Sequence, residues 1–377
     1  MKKYSVFWWA LGSLAINFAE LAITANLAAN HGLHGVSFGI ACMYLGMAIS
    51  PILAIFFKQH SIRLAFFLSE LLKLGFLVLS LLSSSLLVQC ISLGGIFATV
   101  GWSQGYRAAL IKCFFSDRLK NTIVNWQLFD SVFACLGLAL GMYELEIGLS
   151  FGILILQLPC LYLAISSKDM NHLNRQKPLV AALKVFGDSN IRTMTLGRLG
   201  SNIALGVAKL VIPLWVLKSN ADFLINQGAH LLTIALMGLF VNLCIKRMKN
   251  LSLVLSIGTV SLLSLYLLMI ADYFSVEPLT VIILSAMMGI QITSYRTVGI
   301  FLGQNITDAD DMDVIIPVSD SLIRGITAAI LMLISFFLDQ FSHSLQWIMV
   351  LGLMAVSFCH ISFARLVRNN PTFNTSF

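Results

Sequence analysis

Apolar runs close to 20 residues long recur from one end of this chain to the other, and they constrain its fold more than any motif does. A helix of that length rises about 30 Å, the thickness of a bilayer's hydrocarbon core. Charged residues make up only 11% of the 377, and 58% are hydrophobic. A soluble domain carries roughly 25% charged residues, so this chain lacks the means to cover a wet surface. Barrel strands would alternate apolar and polar residues, and no such alternation is present. Helices satisfy their own backbone hydrogen bonds in lipid. The pattern therefore predicts an all-α membrane protein.

Twelve transmembrane helices are expected, at about 4–30, 35–57, 62–83, 85–111, 122–143 and 146–166, then 193–217, 222–245, 250–271, 277–303, 312–337 and 343–366. The apolar stretch after Met1-Lys2-Lys3 runs on to Asn30, which fits a retained first span better than a cleaved leader. One connection is long, polar and basic, carrying Lys168, Arg175, Lys177, Lys184 and Arg192. It divides the chain into a bundle over 1–166, a linker over 167–192 and a second bundle over 193–377.

With both termini cytoplasmic, 17 of the 24 lysines and arginines fall in cytoplasmic segments and Lys218 alone in an external loop. The other six lie within spans. That asymmetry is the positive-inside bias, and it predicts a multi-pass protein of a bacterial inner membrane. The formal net charge of +7 then reflects loops facing an anionic leaflet. No nucleic-acid surface is indicated, and a monomer embedded in the lipid bilayer is expected. The segment Asn305–Asp313, with four aspartates, reads as an acidic cytoplasmic loop opposite the basic Lys112–Lys120 loop, which it would attract.

The two halves match one another. Leu11-Gly12-x-Leu14-x-x-Asn17 in span one returns as Leu196-Gly197-x-Leu199-x-x-Asn202 in span seven. Tyr106-Arg107 returns as Tyr295-Arg296, and Asp130-Ser131 as Asp320-Ser321. Both halves start in the cytoplasm, so the repeat is parallel, an arrangement in which two bundles enclose a site near the midplane.

These features resemble the major facilitator superfamily over essentially the whole chain. The stretch Gly105-Tyr-Arg107 … Asp117-Arg118 … Asp130 … Gly137-Leu-Ala-Leu-Gly141 is similar to its siderophore- and drug-exporting branch. A weaker likeness to ferroportin-type exporters rests on Asp117-Arg118, Asp130 and Gln304-Asn305. The sequence departs from the superfamily at Phe56–His60, where a Gly-Asp-Arg signature is usual, and at Gly101, where an arginine is. The resemblance implies two pseudo-symmetric six-helix bundles around a central cavity lined by spans one, four, seven and ten. It also implies alternating-access transport of a small-molecule or ion substrate, most simply proton-coupled export of a siderophore- or drug-like compound. A metal-ion exporter and a non-transporting receptor or scaffold are the alternatives.

Ten ionisable residues fall inside spans: Glu20, Glu70, Lys73, Arg107, Asp130, Arg198, Lys209, Arg296, Asp320 and Arg324. Each costs about 3 kcal/mol at a helix centre on insertion scales, so they must pair or face water. Arg107 with Asp130, and Arg296 with Asp320, stand at depths that allow pairs, either as gates or as fixed struts, and Arg324 shares a helix face with Asp320. Asn17 and Glu20 share a face of span one. The resemblance turns that face toward the substrate and makes Glu20 a candidate coupling acid, since a carboxyl removed from water holds its proton more readily. Arg198 and Asn202 are the counterparts on span seven, able to meet an anionic group. Gln104 and Gln291 are uncharged candidates on spans four and ten. Glu70 and Lys73 should neutralise each other, Lys209 has no evident partner, and Gly137-x-x-x-Gly141 permits close helix approach. There is no GxxxxGK[ST] loop, no HExxH and no CxxC, so neither a cofactor, a metal site nor an enzyme is predicted.

Overall fold

A computed structural model of the chain describes residues 5–58, 62–99, 119–142, 183, 186–218, 222–245, 251–271, 278–306, 309–338 and 344–369. All the described elements are helices. Ser5–Lys58 holds spans one and two, followed by Ile62–Leu82 (three), Leu86–Thr99 (four) and Leu119–Met142 (five). The second half contains Ser189–Lys218 (seven), Phe223–Ile245 (eight), Leu251–Ala271 (nine), Pro278–Ile306 (ten), Ala309–Phe337 (eleven) and Ser344–Asn369 (twelve). The expected sixth span, the far half of span four and most of the linker lie outside the described residues.

Spans one and two form a hairpin. As one straight helix, Ser5–Lys58 would be about 80 Å long, far beyond a bilayer core. The chain reverses at Gly32, with φ 58° and ψ −143°, a conformation only glycine adopts without strain. The return path brings Gly39 against Leu27. His31 Nε2 contacts the Ser84 carbonyl at 3.0 Å, so the span three–four turn sits at the same end of the bundle. A Cβ on Gly32 would meet nothing within 4 Å. Gly32→Ala should therefore cost about 1–3 kcal/mol through backbone strain alone, read as a lowered melting temperature of the purified protein in detergent.

Close packing is made by glycines. Span one crosses span five where Gly137 faces the Leu14 backbone, and Gly141 faces Leu21 and Phe18, as the small-residue motif predicts. Span two crosses span four at Gly46 and Gly94, and span seven crosses span twelve at Gly200 and Ala355. Leu72, Leu82, Ile283, Leu333 and Phe336 face outward, a surface suited to acyl chains and not to water.

The halves meet along span two with span eleven and span five with span eight, while spans one and seven touch on the axis between them. Exchanging the halves turns the first of these interfaces into the second, as a parallel repeat requires. At the Gly32 end the seam is apolar. Phe38 packs edge-on to Phe336 at 5.1 Å, and Leu21, Leu138 and Leu231 form one cluster.

One expectation is corrected. The acidic segment is not simply a loop, because helix begins at Ala309 and takes Asp310, Asp311 and Asp313 into its first turns. Its expected basic counterpart lies almost entirely outside the described residues.

Candidate functional site

Span one is buried from residue 11 to 24, with two exceptions. Asn17 and Glu20 stay part-exposed. Span seven behaves in the same way, since between 204 and 216 only Leu205 and Lys209 are part-exposed. With Arg198 and Asn202 these two make a stripe at spacings of four, three and four, one face of a helix. A helix whose apolar sides are covered by protein can open a polar stripe only toward the interior between the bundles. Span eleven joins them. Leu322, Ile326, Ala329, Leu333 and Phe336 form its exposed apolar side, and Pro317, Asp320 and Arg324 its part-exposed opposite side.

The stripes are tied together by charge. Glu20 and Lys209 lie 3.6 Å apart with side chains 13% and 19% exposed, so span one of the first half pairs with span seven of the second. Two unit charges at about 4 Å attract by about 4 kcal/mol in an effective dielectric of about 20, enough to offset much of their insertion cost. Lys209, for which the sequence offered no partner, is thus answered from the other bundle. Asp320 pairs with Arg198 at 2.5 Å and reaches Arg324 at 4.0 Å. Arg324 Nη1 also donates across the halves to the Met47 carbonyl at 3.4 Å, and Ser321 Oγ donates to the Ala48 carbonyl. Pro51 has no N–H to offer the residue four earlier. The Met47 carbonyl is therefore left without its helical partner, and an arginine from span eleven takes it up. Tyr44 is buried within electrostatic reach of both Glu20 and Arg324, and His230 within reach of Lys209. His230 Nδ1 is held by Ser285 Oγ at 2.6 Å.

The repeat can be followed atom by atom. Asn17 Nδ2 donates to the Ser13 carbonyl at 2.7 Å, and Asn202 Nδ2 to the Arg198 carbonyl at 2.9 Å. Ser13 Oγ donates to Asp130, just as Arg198 meets Asp320. The same contact between the first and fifth helix of each half is thus hydroxyl-to-carboxylate in one and guanidinium-to-carboxylate in the other.

Other expected site residues fall elsewhere. Gln291 is 1% exposed and donates to Ser201 Oγ at 2.8 Å, which places it in the packing of span ten on span seven and away from the open stripe. Gln104 and Arg107 lie outside the described residues, and of Arg296 only the helical backbone is described. The Arg107–Asp130 and Arg296–Asp320 pairings are therefore not seen here, while Asp130 and Asp320 take partners from the first helix of their own half. Glu70 and Lys73 do pair, at 2.6 Å.

No family model and no curated protein matches the sequence. Solved structures do match. A POT family transporter, crystallised with a thioalcohol-conjugated peptide, superposes with a TM-score of 0.70 at 13% identity, over 97% of this chain and 96% of its own. The human organic anion transporter MFSD10 (TETRAN) superposes with a TM-score of 0.68 at 12% identity, over 96% of this chain and 98% of its own. The chain is a multi-pass α-helical membrane protein with the major facilitator-type fold of these transporters, two pseudo-symmetric six-helix bundles around a central cavity.

Proposed function

We propose that this protein is a secondary transporter that moves a small organic solute by alternating access, coupled to protons through Glu20. The observation that carries the proposal is the Glu20–Lys209 pair, 3.6 Å across the seam where the open stripes of the two bundles face each other. Substrate is held between those stripes by Asn17, Arg198 and Asn202. Protonation of Glu20 cancels its charge and removes the attraction to Lys209. A pair worth about 4 kcal/mol biases a two-state equilibrium by about 10^3-fold, roughly from 1:30 to 30:1, where 1:99 to 99:1 takes about 5.5 kcal/mol. One proton on one residue is thus enough to change which side is open. The contacts at the Gly32 end, which the distribution of basic residues assigns to the external side, would part in that change.

Export of a siderophore- or drug-like compound from a bacterial cytoplasm, by a monomer with both termini inside, is the direction and setting that the span four–five resemblance favours. The test is flux in proteoliposomes and everted vesicles with and without a pH gradient. Glu20→Gln should lower gradient-driven flux at least 10-fold while leaving substrate exchange at equal pH largely intact. Full gradient-driven flux in that variant would remove Glu20 from the coupling step.

A further inference from the structure

We infer that Tyr266 of span nine is a positioning residue for Lys209, holding the turn of span seven from which Lys209 meets Glu20. This rests on the transport reading only for what the Glu20–Lys209 pair does in the cycle. Span seven has an incomplete hydrogen-bond ladder on both sides of Lys209. After it, Pro213 has no N–H to offer, so the Lys209 carbonyl four residues earlier lacks its helical partner. Before it, Tyr266 Oη donates to the Ala204 carbonyl at 2.5 Å, and the Ala208 amide lies against the same hydroxyl. Ala204 and Ala208 are the two ends of one i, i+4 bond, and a side chain set into the ladder bends a helix at that point. Gly206, within the same turn, is a weak helix former. Spans eleven and two press on it, so that a Cβ there would stand 2.8 Å from Thr327 Cγ2 and 3.5 Å from Tyr44 Cζ.

Lys209 thus stands on a segment fixed in part from outside its own helix, and Tyr266 is placed for that task. Its ring is fully buried. It reaches span seven past span twelve at Gly352, where a Cβ would run into Cε1, Cζ and Oη of the ring. The consequence falls on the pair across the seam. Glu20 and Lys209 stand 3.6 Å apart, longer than a charge-assisted hydrogen bond of about 2.7–2.9 Å. A small tilt of the turn therefore decides whether the two charges bond directly, attract at a distance or part. Without the hydroxyl, Ala204 and Ala208 return to each other alone, the turn straightens, and Lys209 is no longer held to Glu20. A residue outside the central stripes thereby governs a contact between the bundles.

A double-mutant cycle on the purified full-length protein reads this without flux. The coupling is the non-additive part of the melting-temperature shifts of Glu20→Gln, Lys209→Met and the two together. Adding Tyr266→Phe, which removes only the hydroxyl, should cut that coupling by about half or more. Gly352→Ala, which crowds the ring off span seven with its hydroxyl still present, should cut it too. Tyr295→Phe is the control. It removes another buried hydroxyl of the second bundle, bonded to Thr259 Oγ1 at 2.9 Å, and should lower the melting temperature while leaving the coupling as it was. Coupling that survives Tyr266→Phe or Gly352→Ala in full, falls equally with Tyr295→Phe, or is absent from the wild type would each overturn the inference. The two readings fail separately. Coupling untouched by Tyr266→Phe, with Glu20→Gln still deficient in gradient-driven flux, leaves the proton reading and discards the positioning role. A pair that depends on Tyr266, in a protein whose Glu20→Gln variant keeps full gradient-driven flux, does the reverse.

Discussion

Gly46→Leu should abolish recovery of folded protein, and Gly46→Ala should lower its stability by about 3 kcal/mol, the upper range for overpacking. A Cβ on Gly46 would stand 1.9 Å from the Gly94 carbonyl oxygen, 2.8 Å from that carbonyl carbon and 3.1 Å from the Ala98 nitrogen. All three are backbone atoms, so no side chain can rotate away. Spans two and four would have to separate, and span two also carries the contacts to span eleven that join the halves. A damaged crossing inside one bundle therefore propagates to the seam between bundles. Gly75→Ala is the control. Its Cβ would meet nothing within 4 Å, and alanine is better than glycine in a helix by about 1 kcal/mol, so that variant should be unchanged or slightly more stable. Fluorescence-detected size exclusion of a tagged protein, followed by thermal melts of whatever elutes as one peak, checks all three. A monodisperse Gly46→Leu protein melting with the wild type would show that the two spans do not pack as described.

Much of the architecture was legible because lipid imposes it. Run length, scarcity of charge and the placing of lysines and arginines specify the spans, and Arg-then-Asp spacing in both halves disclosed the repeat. The i, i+3 pair Glu70–Lys73 and the Gly137–Gly141 contact were readable because local helical spacing determines them. What escaped is set by tertiary neighbours. Lys209 meets Glu20 only because two first helices from different bundles touch, and no local periodicity encodes that contact. Asp320 was expected to look to span ten at similar depth, yet Arg198 on span seven reaches it. The equivalence of Ser13 and Arg198 within the Leu-Gly-x-Leu repeat was a signal for this that sequence comparison alone left unused. Gly46 and Gly94 each begin a small-xxx-small step, Gly46 to Ser50 and Gly94 to Ala98, but nothing local to either helix says that the two face each other.

Glu70→Met should be the most destabilising single change to any charge in the described bundle, costing about 3–5 kcal/mol against a whole-protein stability of roughly 5–15 kcal/mol. Glu70 and Lys73 are each fully buried, 2.6 Å apart on span three. The part-exposed pairs of the central stripes can borrow water when a partner is lost, and these two cannot. Removing the carboxylate strands an ammonium in an apolar setting. Lys73→Met removes the other half of the pair and should destabilise as well. Replacing both, Glu70→Met with Lys73→Met, removes two desolvated charges together and should be neutral or stabilising by about 1–4 kcal/mol. Thermal unfolding of the four proteins in detergent measures this directly. Should the double variant melt as low as the singles, mutual neutralisation is not what keeps these charges in span three, and a task for them in the working cycle would have to be sought in flux measurements instead.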